Sequence, residues 1–166
     1  MTRIVVVPST LALLPEYTSI EDPIAELRAA VTSAVGWLVE EGPAGVLAGG
    51  PAAERIGQHL LQDRLGDGPG LLVVANGSAR RTEKAPGHLD DRALPFDAAI
   101  GKALADGDLA ALAGIDLALA GELWAMPDAE ALRTLGRREE SVTSAQVDYD
   151  DDPFGVQYWV VRWQCR

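Results

Sequence analysis

Three short apolar runs, Ile4–Val7, Gly45–Ala48 and Leu71–Ala75, alternate with two stretches of helical periodicity, and this alternation restricts the fold more than any other feature of the chain. Runs of this length, bounded by Pro, Gly or polar residues, have the continuous apolar character of strands buried on both faces. Between the first two, Ile24, Leu27, Val31, Val35 and Leu38 recur at spacings of three and four, which puts one apolar stripe on a helix. Asp22-Pro23 offers an N-cap and a proline at the first helical position, and Gly42-Pro43 stops the helix. The segment 52–65 repeats the pattern with Ile56, Leu60 and Leu61 facing inward, and Gly66 to Gly70 ends it. The linker 8–21, rich in Ser, Thr and Pro, reads as a loop. A β-α-β-α-β order specifies a parallel sheet with helices packed on it.

The second half is mostly helical. Pro95–Ala105 carries Phe96, Ile100 and Leu104 on one side; Asp108 is positioned to cap Leu109–Ala113. Asp116 is placed to cap a helix bearing Leu117, Leu119, Leu123 and Trp124, and Pro127-Asp128 begins a further helical stretch to Leu135. Residues 136–145 are polar and read as a loop. Val147–Asp150 and Val156–Trp163 are strand-like, the latter strongly β-favouring and a candidate edge strand for pairing in a homo-oligomer. Trp159 and Trp163 would share a strand face and serve packing. The expected architecture is one α/β domain over residues 1–166, with a mainly parallel sheet and helices on both faces.

Composition narrows the function classes. A chain of 166 residues with 48% hydrophobic and 23% charged residues has enough apolar surface for one real core. Its net charge of −11 argues against a general nucleic-acid binder, because phosphate backbones need a basic face. The lone Cys165 rules out an internal disulfide, and no Cys/His grouping suits zinc. No apolar run approaches the roughly eighteen residues of a membrane span. The opening MTRIVVVPST lacks a cleavage signal, so the expectation is a soluble, cytoplasmic protein.

Candidate chemistry gathers in the loop after the third strand, where α/β proteins present their working residues. Ser78, Arg80, Arg81 and Lys84 form a cationic cluster in an otherwise acidic chain. One reading is structural ion pairing with Glu83, Asp90, Asp91 and Asp97. The other is a pocket for a small anion, built from Ser9, Asn76, Ser78, Arg80 and Arg81, with an arginine fork gripping carboxylate or phosphate. Backbone N–H groups at Gly77 and Ser78 would add donors. His59 reads as a boundary residue of its helix and His88 as a turn residue. Neither Gly45–Gly50 nor Gly66–Gly70 spells a phosphate-binding loop, and no serine-hydrolase elbow is present. The acidic run Asp148–Asp152 lacks calcium-loop spacing and reads as a solvated turn.

Three segments together resemble the B-like superfamily of class III extradiol ring-cleavage dioxygenases, in particular its short, diverged actinobacterial members. Val7-Pro8-Ser9-Thr10 with Leu14-Pro15-Glu16 is similar to the family's opening PHPP…VPE. Ala75 to Thr82, continued through Ala85-Pro86-Gly87-His88-Leu89-Asp90 to Pro95-Phe96-Asp97, resembles SGDLSHRLT…APxGY…FD. Tyr149 to Tyr158 resembles the closing Y-x-x-PFGVGY. The section between the second strand and the loop, Pro51 to Gly70, is short for the family.

The resemblance implies a shortened version of that fold and, in active members, an Fe(II) held by two histidines and one glutamate with open positions for substrate and dioxygen. Here the ligand histidines fall at Ser9 and at Gly49 or Gly50, the acid/base histidine falls at Ala79, and the glutamate falls at Glu122 or Glu130. With no imidazole at these places, the resemblance implies a catalytically degenerate protein without catalytic residues, metal or cofactor, acting in binding or assembly. The alternative is a diverged oxidoreductase or hydrolase using Ser9, Glu16, Asn76, Ser78 and Arg80 in the same strand-end cleft.

Overall fold

The computed structural model describes residues 1–17 and 21–166. Its centre is a five-stranded sheet of order β2-β3-β1-β5-β4, formed by β1 (Thr2–Val7), β2 (Ala44–Ala48), β3 (Gly70–Val74), β4 (Val142–Asp151) and β5 (Tyr158–Cys165). β2, β3 and β1 pair in parallel, with Val5 opposite Leu72 and Leu72 opposite Val46. β5 pairs antiparallel with both β1 and β4, so it alone runs against the others. The fold is a single α/β domain with a mixed, mostly parallel sheet.

Each buried strand feeds two cores through its period-two alternation. Val5, Val7, Leu72 and Val74 face α1 (Ala25–Leu38) and α2 (Pro51–Leu61), meeting Leu27, Val31, Leu38 and Ile56. Ile4, Val6, Val73, Trp159 and Trp163 face the opposite layer. That layer is α3 (Ala93–Asp106), α4 (Leu109–Ala113), α5 (Leu117–Glu122) and α6 (Asp128–Gly136). Trp163 is fully buried, and its Nε1 donates to Leu104 O at 2.8 Å, which satisfies the one polar group of a large apolar side chain. Both tryptophans therefore serve packing, as their strand spacing implies.

The expected caps at Asp108 and Asp116 form, their side chains accepting from Ala111 N at 3.0 Å and Leu119 N at 3.1 Å. Asp22 accepts from Ile24 N at 3.2 Å instead of capping a helix that begins at Pro23, and α1 starts two residues later. In the 8–21 linker, Leu11–Leu13 and Pro15–Tyr17 form short 3-10 turns; part of that expected loop, 18–20, lies outside the described residues.

Three expectations need correction. Residues 136–145 are not all loop, because β4 begins at Val142. It is an outer strand with much of its surface in water, so its composition is polar and its two register shifts blur the alternation. Val156–Trp163 is not an edge: β5 lies between β1 and β4, which explains why it is almost wholly buried. Most of the Asp148–Asp152 run is the end of β4 rather than a solvated turn, with Asp152 just past it. Asp148 ion-pairs with Arg162 at 2.7 Å, Asp150 accepts from Gln157 at 2.6 Å, and Asp152 ion-pairs with Arg81 at 2.7 Å. Among the described residues no helix is long and apolar enough to cross a membrane.

Candidate functional site

The carboxyl ends of β1, β2 and β3 open on a cleft of about 400 Å³. β1 delivers Ser9, the turn after β2 delivers Gly50 and Pro51 at the start of α2, and β3 delivers Asn76, Gly77 and Ala79. The wall opposite the sheet comes from Trp124, Met126, Pro127 and Asp128, the segment that leads into α6.

Asn76 holds the ends of β1 and β3 together. Its Oδ1 accepts from Ser9 N at 2.7 Å and its Nδ2 donates to Ser9 O at 3.0 Å, so one side chain replaces the next rung of the β1–β3 ladder. The Asn76 backbone N–H donates to Asp128 Oδ2 at 3.0 Å, and the Ser9 hydroxyl shares the cleft lining with this carboxylate. Burial pushes the Asp128 pKa up to about 6, only partly countered by the Asn76 N–H and Ser9. Asp128 is thus mainly an anion at neutral pH and readily takes a proton just below it. Among the described residues it is the only titratable side chain lining the cleft.

Trp124 forms the mouth. It is 55% exposed and has a φ of 59°, just beyond α5, where its N–H donates to Gly121 O and the next N–H donates to Ala120 O. A helix C-terminus that turns through the left-handed region normally uses glycine there, so a tryptophan in that conformation is held at a cost of about 1 kcal/mol. The sequence pattern assigns Trp124 to an apolar helix face; the early end of α5 instead leaves its ring over the cleft and against Gly87.

A second polar setting lies two residues further along the same segment. Ser78 is fully buried, its N–H donating to Asp97 Oδ1 at 2.8 Å and its Oγ to Oδ2 at 2.6 Å. Arg81 donates to the same Asp97 at 2.9 Å and to Asp152 at 2.7 Å. Burial raises the Asp97 pKa, with Ser78 and Arg81 pulling the other way. Arg80 lies 3.5 Å from Asp90 and donates to Glu122 O at 3.0 Å. Of the five residues expected to form an anion pocket, Ser9 and Asn76 meet in the cleft, while Ser78, Arg80 and Arg81 are bonded to protein groups outside its lining. Glu16 is ion-paired with Arg55 on the outside of α2.

No family model matches the chain, and no curated protein does either. The fit to an iron centre can still be tested on the residues themselves. Ser9, Gly50 and Ala79 line the cleft, and the carboxylate beside them is Asp128. A Cβ on Gly49 would lie 2.2 Å from Pro127 O, so that position has no room for an imidazole while α6 starts where it does. Glu122 pairs with Arg92 at 2.8 Å, and neither it nor Glu130 lines the cleft. His59 is partly buried on α2, and the exposed His88, with a φ of 57°, sets its Nδ1 3.0 Å from Glu83 O in a turn. Among the described residues no three His, Cys, Asp or Glu side chains are grouped as metal ligands. The donor set does not fit a two-histidine, one-carboxylate iron site.

Sequence reasoning missed Asp128 and Trp124 as site residues. Asp128 carried the signal of a helix start, and an acid in a first helical turn is usual for electrostatic reasons alone. Nothing local marks it as a carboxylate that faces a cavity.

Proposed function

We propose that this protein is a catalytically degenerate relative of the B-like class III extradiol dioxygenases, and that it binds a small molecule in the strand-end cleft. One observation carries the reading. The resemblance puts the two ligand histidines at Ser9 and at Gly49 or Gly50 and the acid/base at Ala79; Ser9, Gly50 and Ala79, far apart in sequence, line the same cavity. Serine, glycine and alanine give Fe(II) no ligand comparable to imidazole, so the cleft keeps the place of the family's site without its chemistry. The cytoplasmic setting expected from the sequence belongs to the same proposal.

The rival enzyme has less support. Of Ser9, Glu16, Asn76, Ser78 and Arg80, only Ser9 and Asn76 face the cleft, and Asn76 spends its amide on the Ser9 backbone. Anaerobic Fe(II) titration followed by a catechol-cleavage assay tests the proposal. The expected result is no stoichiometric iron binding and no ring opening; iron bound one to one with ring opening overturns it.

A further inference from the structure

We propose that the strand-end cleft is a site for a small organic cation, a primary ammonium or similar group carried on a flat apolar body. The inference rests on the reading of this cleft as a ligand site and adds the ligand's charge class. The anionic ligand expected from the sequence relied on Arg80 and Arg81. Those guanidinium groups are turned to Asp90, Asp97 and Asp152 and contribute nothing to the lining.

Among the described residues the cleft instead contains one carboxylate and no cation. Asp128 accepts one hydrogen bond, from the Asn76 N–H, and the other polar group favouring its ionised form is the neutral Ser9 side chain. A carboxylate offers about four lone-pair positions, so most of its accepting capacity is left for a ligand. An anion withdrawn from water without a counter-charge is poorly compensated, and an incoming ammonium supplies both the charge and the missing donors. The Ser9 hydroxyl, also in the lining, offers lone pairs as a second acceptor.

The remaining lining suits the body of such a ligand. Trp124 presents an exposed indole at the mouth, and Met126, Pro51, Ala52, Ala53, Pro127 and Val156 supply apolar surface around it. An indole face attracts cations as well as flat rings. The net charge of −11 draws cations toward the molecule and repels anions. One feature acts in the opposite sense: the start of α2 at Gly50–Ala53 also opens on the cleft and carries partial positive charge. That contribution is a fraction of a charge, whereas Asp128 brings a full one.

Three probes of similar size and different charge test the proposal on the full chain at about pH 7.5, where Asp128 is ionised and a primary amine is protonated. They are benzylamine, benzyl alcohol and benzoate, titrated by calorimetry. Benzylammonium is expected to bind about tenfold or more tightly than either other probe. Asp128→Asn should abolish that preference while circular dichroism stays native, and Trp124→Ala should weaken benzylammonium several-fold. Tighter binding of benzoate, or benzylammonium binding unchanged in Asp128→Asn, overturns the cation assignment. Ala79→Leu, which fills the cleft, separates the two claims. If benzoate or benzyl alcohol is the preferred probe and Ala79→Leu blocks it, the charge class falls and the ligand-site reading stands. If none of the probes binds, both fall.

Discussion

Asp97 and Asp128 are both carboxylates that burial pushes above the usual aspartate pKa, and they flank the same short segment of backbone, yet they do opposite jobs. Asp97, only 2% exposed, is closed off by Ser78 and neutralised by Arg81, so its hydrogen bonds and charge are met inside the protein. Asp128 is held by neutral partners and opens on a cavity. The first arrangement holds the loop after β3 to the start of α3, and the second leaves a charge for something outside the chain to meet. A perturbed carboxylate marks a site when its partners leave its charge uncompensated, and marks scaffolding when they do not.

The largest effect that would sharpen this contrast is expected at Asp97. Asp97→Ala leaves the buried Ser78 N–H and hydroxyl unsatisfied and takes from Arg81 one of its two carboxylates, and should cost about 2–4 kcal/mol in urea denaturation. A loss well below that would mean the network is not scaffolding. Next comes the residue between the two settings. A Cβ at Gly77 would come within 2.6 Å of Asp97 Oδ1 and 2.8 Å of the Trp159 ring, so Gly77→Ala should destabilise by about 1–3 kcal/mol through overpacking.

Asp128 makes a smaller and pH-dependent difference. Its folded-state pKa is raised from 3.8 to about 6, so the folded protein holds this proton more tightly than the unfolded chain. The resulting stability is fully present below the unfolded value and is lost as pH rises through the folded one. Between about pH 7 and about pH 5 the native protein should gain about 1 kcal/mol relative to Asp128→Asn, measured by paired denaturation curves. Identical pH profiles would show that the carboxylate is not desolvated, and the contrast with Asp97 would fail. The smallest effect is expected at Arg80, whose ion pair with Asp90 is at the surface. Arg80→Gln should cost under about 1 kcal/mol and leave probe affinity for the cleft unchanged. A marked fall in that affinity would bring the arginine back into the site.

Much of the fold was legible because it is written locally. The apolar runs of β1, β2 and β3, the stripes of α1 and α2, and the aspartate caps of α4 and α5 each express a periodicity or cap that needs no distant partner. β4 was half missed because an outer strand needs apolar residues on neither its free edge nor its wet face, so its pattern resembles a loop. The site was legible in part for the same reason. Ser9 and Asn76 follow strands whose ends could be read, whereas Asp128 and Trp124 enter from a helical segment whose approach to those strand ends has no local signature.

The sequence by itself determined that alternating strands and helices would form an α/β sheet, and that the loop after β3 would carry charge. Only the tertiary structure decided which charges are spent and which are available. Arg80 and Arg81 found carboxylates as near in sequence as Asp90 and as distant as Asp152, while Asp128 met no cation among the described residues. Pairing depends on which groups the packed layers bring within a few ångströms, and the free energy of a charge in a low-dielectric site depends almost wholly on that geometry.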